Sequence, residues 1–303
     1  MADSPLQGVI PALITPFTAD GGAVDERALT ALVERCITAG VDGLLPCGGT
    51  GEFTALTVAE RRRVLEVVVS ATAGRVPVVA HTGGLSTAEA VALSQHAKDT
   101  GASALMVGVP FYEPMTLEQT RRYLGDVSAA VDIDLMYYNY PYATGFHLDS
   151  EQLVTLTESV PAIRYLKDSS GNFAAMTEFL RECPRVGLFA GSDALSGPAL
   201  LAGAAGLING CANIVPAAFV EMTAAARAGD PETVTRVWTQ LLPLLAFVET
   251  HPFVSAVKTA CSMLGADGGP VRAPLAELDE LQTAALRDVL GPVTARTAQP
   301  SLV

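Results

Sequence analysis

Charge is scarce in this chain, and positive charge is scarcer. Only 17% of its 303 residues are charged, with 19 Lys and Arg against 32 Asp and Glu, a formal net charge of −13. Such a chain lacks the basic face that a phosphate backbone requires, which argues against nucleic-acid binding, and an anionic membrane surface would repel it. An anionic small substrate stays open, because a local site can differ from the net field. Long apolar runs are also missing. The most apolar stretch, LLPLLAFV (241–248), is too short to cross a bilayer and contains Pro243. MADSPLQGVI, at residues 1–10, has neither a basic segment nor an apolar core and does not read as a secretory signal. The five cysteines, at 36, 47, 183, 211 and 261, form no CxxC and no close pair. They read as reduced, mostly buried thiols of a cytoplasmic protein. The four histidines, at 81, 96, 147 and 251, form no HxxxH pair, so no metal site is expected.

Half of the chain is apolar, enough for a sizeable core. Short runs rich in Val, Ile and Leu alternate with segments of helical period. Strands are expected near 8–16, 43–49, 76–82, 103–110, 134–140, 163–168, 186–192 and 206–212, each apolar as parallel strands covered on both faces should be. Between them, 25–40 carries apolar residues at 29, 32, 33, 36 and 37 on one helical face and stops at Gly40. Thr57 with Glu60 forms a capping box before RRRVLEVVVSATA. Thr87 is expected to open the next helix, and Asp149 or Ser150 a later one. Eight β-then-α units predict a (β/α)8 TIM barrel over residues 1–228, with a C-terminal helical extension over 229–303 packed on it. A doubly wound sheet is the rival, but ITPFTADGGAVD after the first strand offers no GxGxxG.

Barrel enzymes place their chemistry at the C-terminal ends of the strands. Lys167 is the unusual residue there. Period 2 sends Ile163, Tyr165 and Lys167 to one face. If that face is the interior, the ammonium is desolvated, its pKa falls, and the neutral amine can attack a ketone to form an imine. A lysine on the outer face, paired with a carboxylate, would give the same pattern. Tyr138, one strand away, is placed to pass protons, or else simply fills the barrel. Of Tyr137, Tyr138 and Tyr140, at least one must face outward. The turn GGTGE (48–52) offers backbone N–H groups as a nest for a carboxylate, with the Thr50 hydroxyl beside it, and reads equally as an ordinary βα turn. Asp193 is expected to cap a helix beginning at Ala194, with contact to a substrate hydroxyl as the other reading. The ERRR run at 60–63 reads as a solvated helix face.

Taken together these stretches resemble the dihydrodipicolinate synthase / N-acetylneuraminate lyase family. The matching pieces, in family order and across nearly all of the chain, are ITPF (14–17), GGTGE (48–52), PFYEP (110–114), YNYPYATG (138–145), LKDSSGN (166–172), GSD (191–193) and GLINGCAN (206–213). The resemblance implies a class I Schiff-base barrel acting on pyruvate or other 2-oxo acids, without metal or organic cofactor, commonly a homotetramer built as a dimer of dimers. It implies Lys167 as the imine former, Tyr138 as the proton-transfer group, and Gly49 and Thr50 as the carboxylate-binding turn. Tyr112 matches a tyrosine that in some members enters a neighbouring subunit's site. Ile208 matches a pocket position, and Gly191 and Asp193 lie in a matching segment. Two positions depart from the synthase branch. Gly49 stands where the first of two threonines is usual, and Ala143 where an arginine grips an acidic substrate. Losing that guanidinium would cost roughly 2–5 kcal/mol of binding if the ion pair were buried. The alanine, and HPFVSAVKTACSMLG (251–265), look more like branches acting on 2-keto-3-deoxy sugar acids.

The expected function is therefore a Schiff-base lyase that cleaves a 2-oxo acid reversibly to pyruvate and an aldehyde. Its alternatives are dihydrodipicolinate synthase proper, which condenses pyruvate with aspartate semialdehyde, and a keto-deoxy sugar acid dehydratase. A non-catalytic 2-oxo acid binder is the reading from another class.

Overall fold

The computed structural model of the chain describes residues 6–297. Seven strands form one parallel sheet: β1 (Gly8–Val9), β2 (Val79–His81), β3 (Ala104–Gly108), β4 (Leu135–Asn139), β5 (Ile163–Asp168), β6 (Gly187–Ala190) and β7 (Gly206–Leu207). The sheet runs β1-β7-β6-β5-β4-β3-β2. The second expected strand, 43–49, is not a strand. Only Leu44 and Leu45 pair, through single parallel bridges to Val78 and Ala12. Those two bridges join the sheet's free edges, so eight parallel segments close an α/β barrel. The chain leaves extended geometry at once beyond Leu45, because the glycine turn begins there. The first expected strand, 8–16, is likewise reduced to two residues.

Helices α1 (Glu26–Ala39), α2 (Val58–Thr72), α3 (Thr87–Thr100), α4 (Leu117–Ala130), α5 (Pro141–Thr144), α6 (Ser150–Ser159), α7 (Phe173–Glu182), α8 (Ser196–Leu201) and α9 (Pro216–Ala228) alternate with the strands. Their ends follow local chemistry. Thr57 and Glu60 make the capping box of α2, and Asp149 with Gln152 makes that of α6. Gly40 ends α1 at φ 90°, a conformation that costs a glycine nothing. The cap of α3 is Ser86, one residue before the expected Thr87, since its side chain is the one accepting from the Glu89 amide. Three helices follow the barrel: α10 (Pro231–Thr250), which packs on α8 and α9, α11 (Phe253–Met263) and α12 (Glu280–Thr297). Of the expected division at 228/229, residues 1–5 and 298–303 lie outside the described residues.

The core has two layers. The barrel interior is filled by residues such as Leu45, Val79, Met106, Met136, Tyr165 and Phe189, and the larger shell lies between strands and helices. β5 corrects one expectation. Tyr165 lies in the interior layer, but Ile163 belongs to the outer shell with Leu166. The register shifts between Leu135 and Met136 opposite Ile163 and Tyr165, and that irregularity turns Ile163 to the other face. Asn213 knits the barrel mouth, donating to the carbonyls of Ala12 and Gly210 and accepting from the Ile14 amide. All five cysteines are buried and unpaired, and burial pushes the thiols of Cys36, Cys47 and Cys261 up to about 12. Among the described residues no helix is long and apolar enough to cross a membrane.

Candidate active site

Lys167 sits near the C-terminal end of β5, level with Tyr138 on β4 and Phe189 on β6. It is 4% exposed. Among the described residues its ammonium meets no hydrogen-bond partner or carboxylate within ion-pair reach, and it lies 4.4 Å from the centroid of the Tyr138 ring. Desolvation brings its pKa down to about 8, with nearby Asp193 opposing the fall. The outer-face reading of this lysine is thereby excluded. Burial holds the Tyr138 phenol well above its ordinary range, and the neighbouring Ser169 hydroxyl offsets part of the rise. Tyr137 takes the opposite, outer face, and Tyr140 stacks on Tyr138 with centroids 5.7 Å apart. Cross-strand order at this end comes from Asn139, which donates to the fully buried Asp168 at 2.7 Å.

The glycine turn stands across the barrel mouth. The Gly51 and Glu52 amides close it on the carbonyls of Gly48 and Gly49. The amides of Gly49 and Thr50 meet no acceptor among the described residues, so two donors are left for an anion. A side chain at Gly49 would project into open space, whereas one at Gly51 would press on the Leu13 carbonyl at 2.9 Å. The turn is flanked by Cys47 at φ 58° and Glu52 at φ 54°, left-handed conformations that cost an ordinary residue about 1–2 kcal/mol each. What holds Glu52 there is charge. Its carboxylate is buried and pairs at 2.5 Å with Lys258 of α11, itself 1% exposed, and it accepts the Arg272 amide at 2.9 Å. The oxygen facing Lys258 has no well-angled hydrogen bond, so charge pairing holds it.

Beside the lysine lies a cavity of about 210 Å3 whose walls include Gly49, Phe53, His81, Gly108, Tyr138 and Ala143. No lysine, arginine or carboxylate lines it. Two residues escape sequence reasoning, one in this wall and one bonded to its backbone. His81 enters the sequence argument only as a metal ligand, yet it follows Val79 onto the interior face by the period of β2. Arg61 corrects the reading of 60–63 as a solvated face. It is 5% exposed and donates to the carbonyls of His81 and Gly83, with Phe53 under its guanidinium. Its spacing from Val64, Val68 and Thr72 on the buried stripe of α2 was the available signal.

A model of the dihydrodipicolinate synthetase family matches residues 5–292. This chain belongs to that family. A 4-hydroxy-tetrahydrodipicolinate synthase of Methanopyrus kandleri is 40% identical over 278 residues, covering 91% of this chain and 92% of the relative. Among solved structures, dihydrodipicolinate synthase from Aquifex aeolicus superposes with a TM-score of 0.90 at 35% identity, covering 94% of this chain and 97% of that one. YagE, a prophage protein of the family from E. coli K12 solved in complex with pyruvate, gives 0.91 at 31% identity, covering 96% and 99%. As a member of the dihydrodipicolinate synthetase family the chain is an enzyme, of the class I pyruvate-dependent lyases, and not a non-catalytic binder.

The remaining family positions fall in different places. Gly191 abuts the lysine: a side chain there would come within 2.9 Å of Lys167 Cε and collide with the Ser169 hydroxyl. Ile208 is fully buried in the interior layer. Asp193 does not cap a helix at Ala194, because α8 begins at Ser196. Its carboxylate is 1% exposed, accepts the amides of Gly210 and Cys211, and is pushed up to about 6 by burial. Both oxygens are spent on the segment after β7. Tyr112 is 84% exposed, away from this chain's own cavity wall.

Proposed function

We propose that the enzyme joins pyruvate to, or releases it from, an uncharged aldehyde through an imine at Lys167, with 2-keto-3-deoxy sugar acids as the substrate class. The observation that carries this reading is the buried amine of Lys167, brought to a pKa of about 8 beside Tyr138. Its nitrogen attacks the pyruvate carbonyl, water leaves, and an iminium forms. Loss of a methyl proton gives the enamine, whose carbon attacks the aldehyde while the aldehyde oxygen takes up a proton. Hydrolysis then frees the product and the lysine. Gly49 and Thr50 hold the pyruvate carboxylate through their unused amides, Tyr138 moves the protons, and Gly191 leaves room for the lysine. The wall of the neighbouring cavity, with Ala143 and no cation, suits an aldehyde without a carboxylate.

A second reading is supported by the relatives at 34–40% identity named 4-hydroxy-tetrahydrodipicolinate synthase: pyruvate condenses with aspartate semialdehyde. We also propose a cytoplasmic homotetramer in which Tyr112 enters a neighbouring subunit's site, and a division into a barrel (1–228) and an appended helical unit (229–303). Borohydride reduction with pyruvate should leave a stable adduct on Lys167, found by mass spectrometry and absent in Lys167→Ala. A wild-type protein without that adduct would remove the mechanism. Pyruvate release from keto-deoxy sugar acids separates the first reading from the second, which predicts turnover of aspartate semialdehyde. Loss of water without pyruvate would mark a dehydratase.

A further inference from the structure

His81 is a buried titratable group that the imine chemistry leaves unused. Its Nδ1 lies 2.8 Å from the Cys47 carbonyl, which can only accept, so Nδ1 carries the ring proton of the neutral imidazole and Nε2 is a bare acceptor. The ring's hydrogen bond among the described residues is the one at Nδ1, none is made at Nε2, and His81 forms part of the cavity wall. The atom is located by its neighbours: a Cβ built on Gly83 would lie 3.1 Å from it, and one built on Gly108 would lie 3.9 Å from it and 3.5 Å from the Tyr138 ring. It therefore stands on the side of the cavity shared with the Tyr138 ring.

The surroundings fix this ring in one orientation and one protonation state. Phe53 meets it edge to face at 4.6 Å. Arg61 donates to the carbonyls of His81 and Gly83 and so braces the backbone on either side. Burial first, then the positive charges of Arg61 and Lys167, drive the imidazole down to about 3, with the Cys47 carbonyl opposing. A ring that stays neutral across the working pH range, with its one proton already engaged, can do one thing at its free nitrogen: accept a hydrogen bond.

We propose that His81 Nε2 is the acceptor for a hydroxyl of the aldehyde half of the substrate, so that the cavity selects hydroxylated aldehydes over their deoxy counterparts. The inference rests on the pyruvate–aldehyde reading above and extends it by naming the group that recognises the second substrate. Every other side chain that could accept there is a phenol or a threonine hydroxyl, each of which also donates. His81 alone offers an acceptor that cannot turn donor without being protonated.

The test compares D-glyceraldehyde with propanal as partners for pyruvate in the wild type, His81→Asn and His81→Gln. Asparagine can still donate to the Cys47 carbonyl but has nothing at the Nε2 position; glutamine brings an amide oxygen near it. The wild type should prefer glyceraldehyde in kcat/KM. His81→Asn should lower that preference roughly tenfold, as the loss of one hydrogen bond does, and His81→Gln should retain part of it. Borohydride trapping of pyruvate on Lys167 should be unchanged in both variants, which shows that fold and imine step are intact. An unchanged preference in His81→Asn, or a wild type that traps pyruvate yet shows no preference or turns over neither aldehyde, overturns the assignment while the imine reading stands. A wild type that traps no pyruvate removes both.

Discussion

Lys167 owes its lowered pKa to what is missing around it. Among the described residues its ammonium has no carboxylate in contact, and burial leaves it almost no water, only the face of Tyr138 and the more distant charge of Asp193. In the proposed imine mechanism the reacting form is the neutral amine, so imine formation should be slow below pH 8 and rise as pH passes through about 8, where the folded protein releases the proton. Removing the stabilising charge with Asp193→Asn should move that rise to lower pH. The rate of borohydride-trapped adduct against pH measures both, and an unmoved midpoint would show that Asp193 acts only through the Gly210 and Cys211 amides. The lysine itself is legible in the sequence because a charged residue on a buried strand is rare. Its facing direction was legible for the wrong reason: Ile163, one of the two residues used to set the face, lies on the other side of the sheet. Tyr165 and Lys167 are in phase only because the register irregularity comes before them.

The loop after β2 shows how an element can be set by a residue from another. Arg61 reaches from α2 to hold the His81 and Gly83 carbonyls, and it has a carboxylate, Glu89, only 3.6 Å away on α3. Arg61→Met would leave both carbonyls without their donor inside the protein. The expected cost is about 2–4 kcal/mol in chemical denaturation, with a higher KM for the aldehyde and an unchanged yield of pyruvate adduct. The helices, the caps at Thr57 and Asp149 and the alternation of strand with helix were readable from local pattern, since capping boxes and apolar stripes are short-range chemistry, whereas the caps expected at Thr87 and Asp193 were not. The second strand was not. Its apolar residues fit a strand, but the glycines after it end pairing at two residues, and only the closed barrel shows that two suffice. The burial of Arg61 was hidden in the same way. Its neighbours Arg62 and Arg63 share its charge but not its face, so composition said surface where period said core.

At the scale of the whole molecule, the site is tied across the chain by a buried pair of opposite charges. Glu52, held left-handed at the end of the glycine turn, pairs with Lys258, and Arg272 adds its backbone amide while its side chain reaches Glu60 and the carbonyls of Gly21 and Ala55. Breaking the pair from one side strands a charge in the core. Glu52→Gln and Lys258→Met should each cost on the order of 3–5 kcal/mol, and the double variant much less than their sum. Denaturant titration of the four proteins gives the coupling directly, and additive losses would show that the two side chains do not depend on each other. No sequence pattern pointed to this link, because its partners lie 220 positions apart in the case of Arg272. That separation has a consequence for synthesis. A nascent chain that has emerged only through the barrel strands carries the whole glycine turn yet lacks the cation that lets Glu52 enter the interior. The mouth can therefore set only after α11 has left the ribosome, and fragments cut short ahead of α11 should be inert even where the barrel itself has formed.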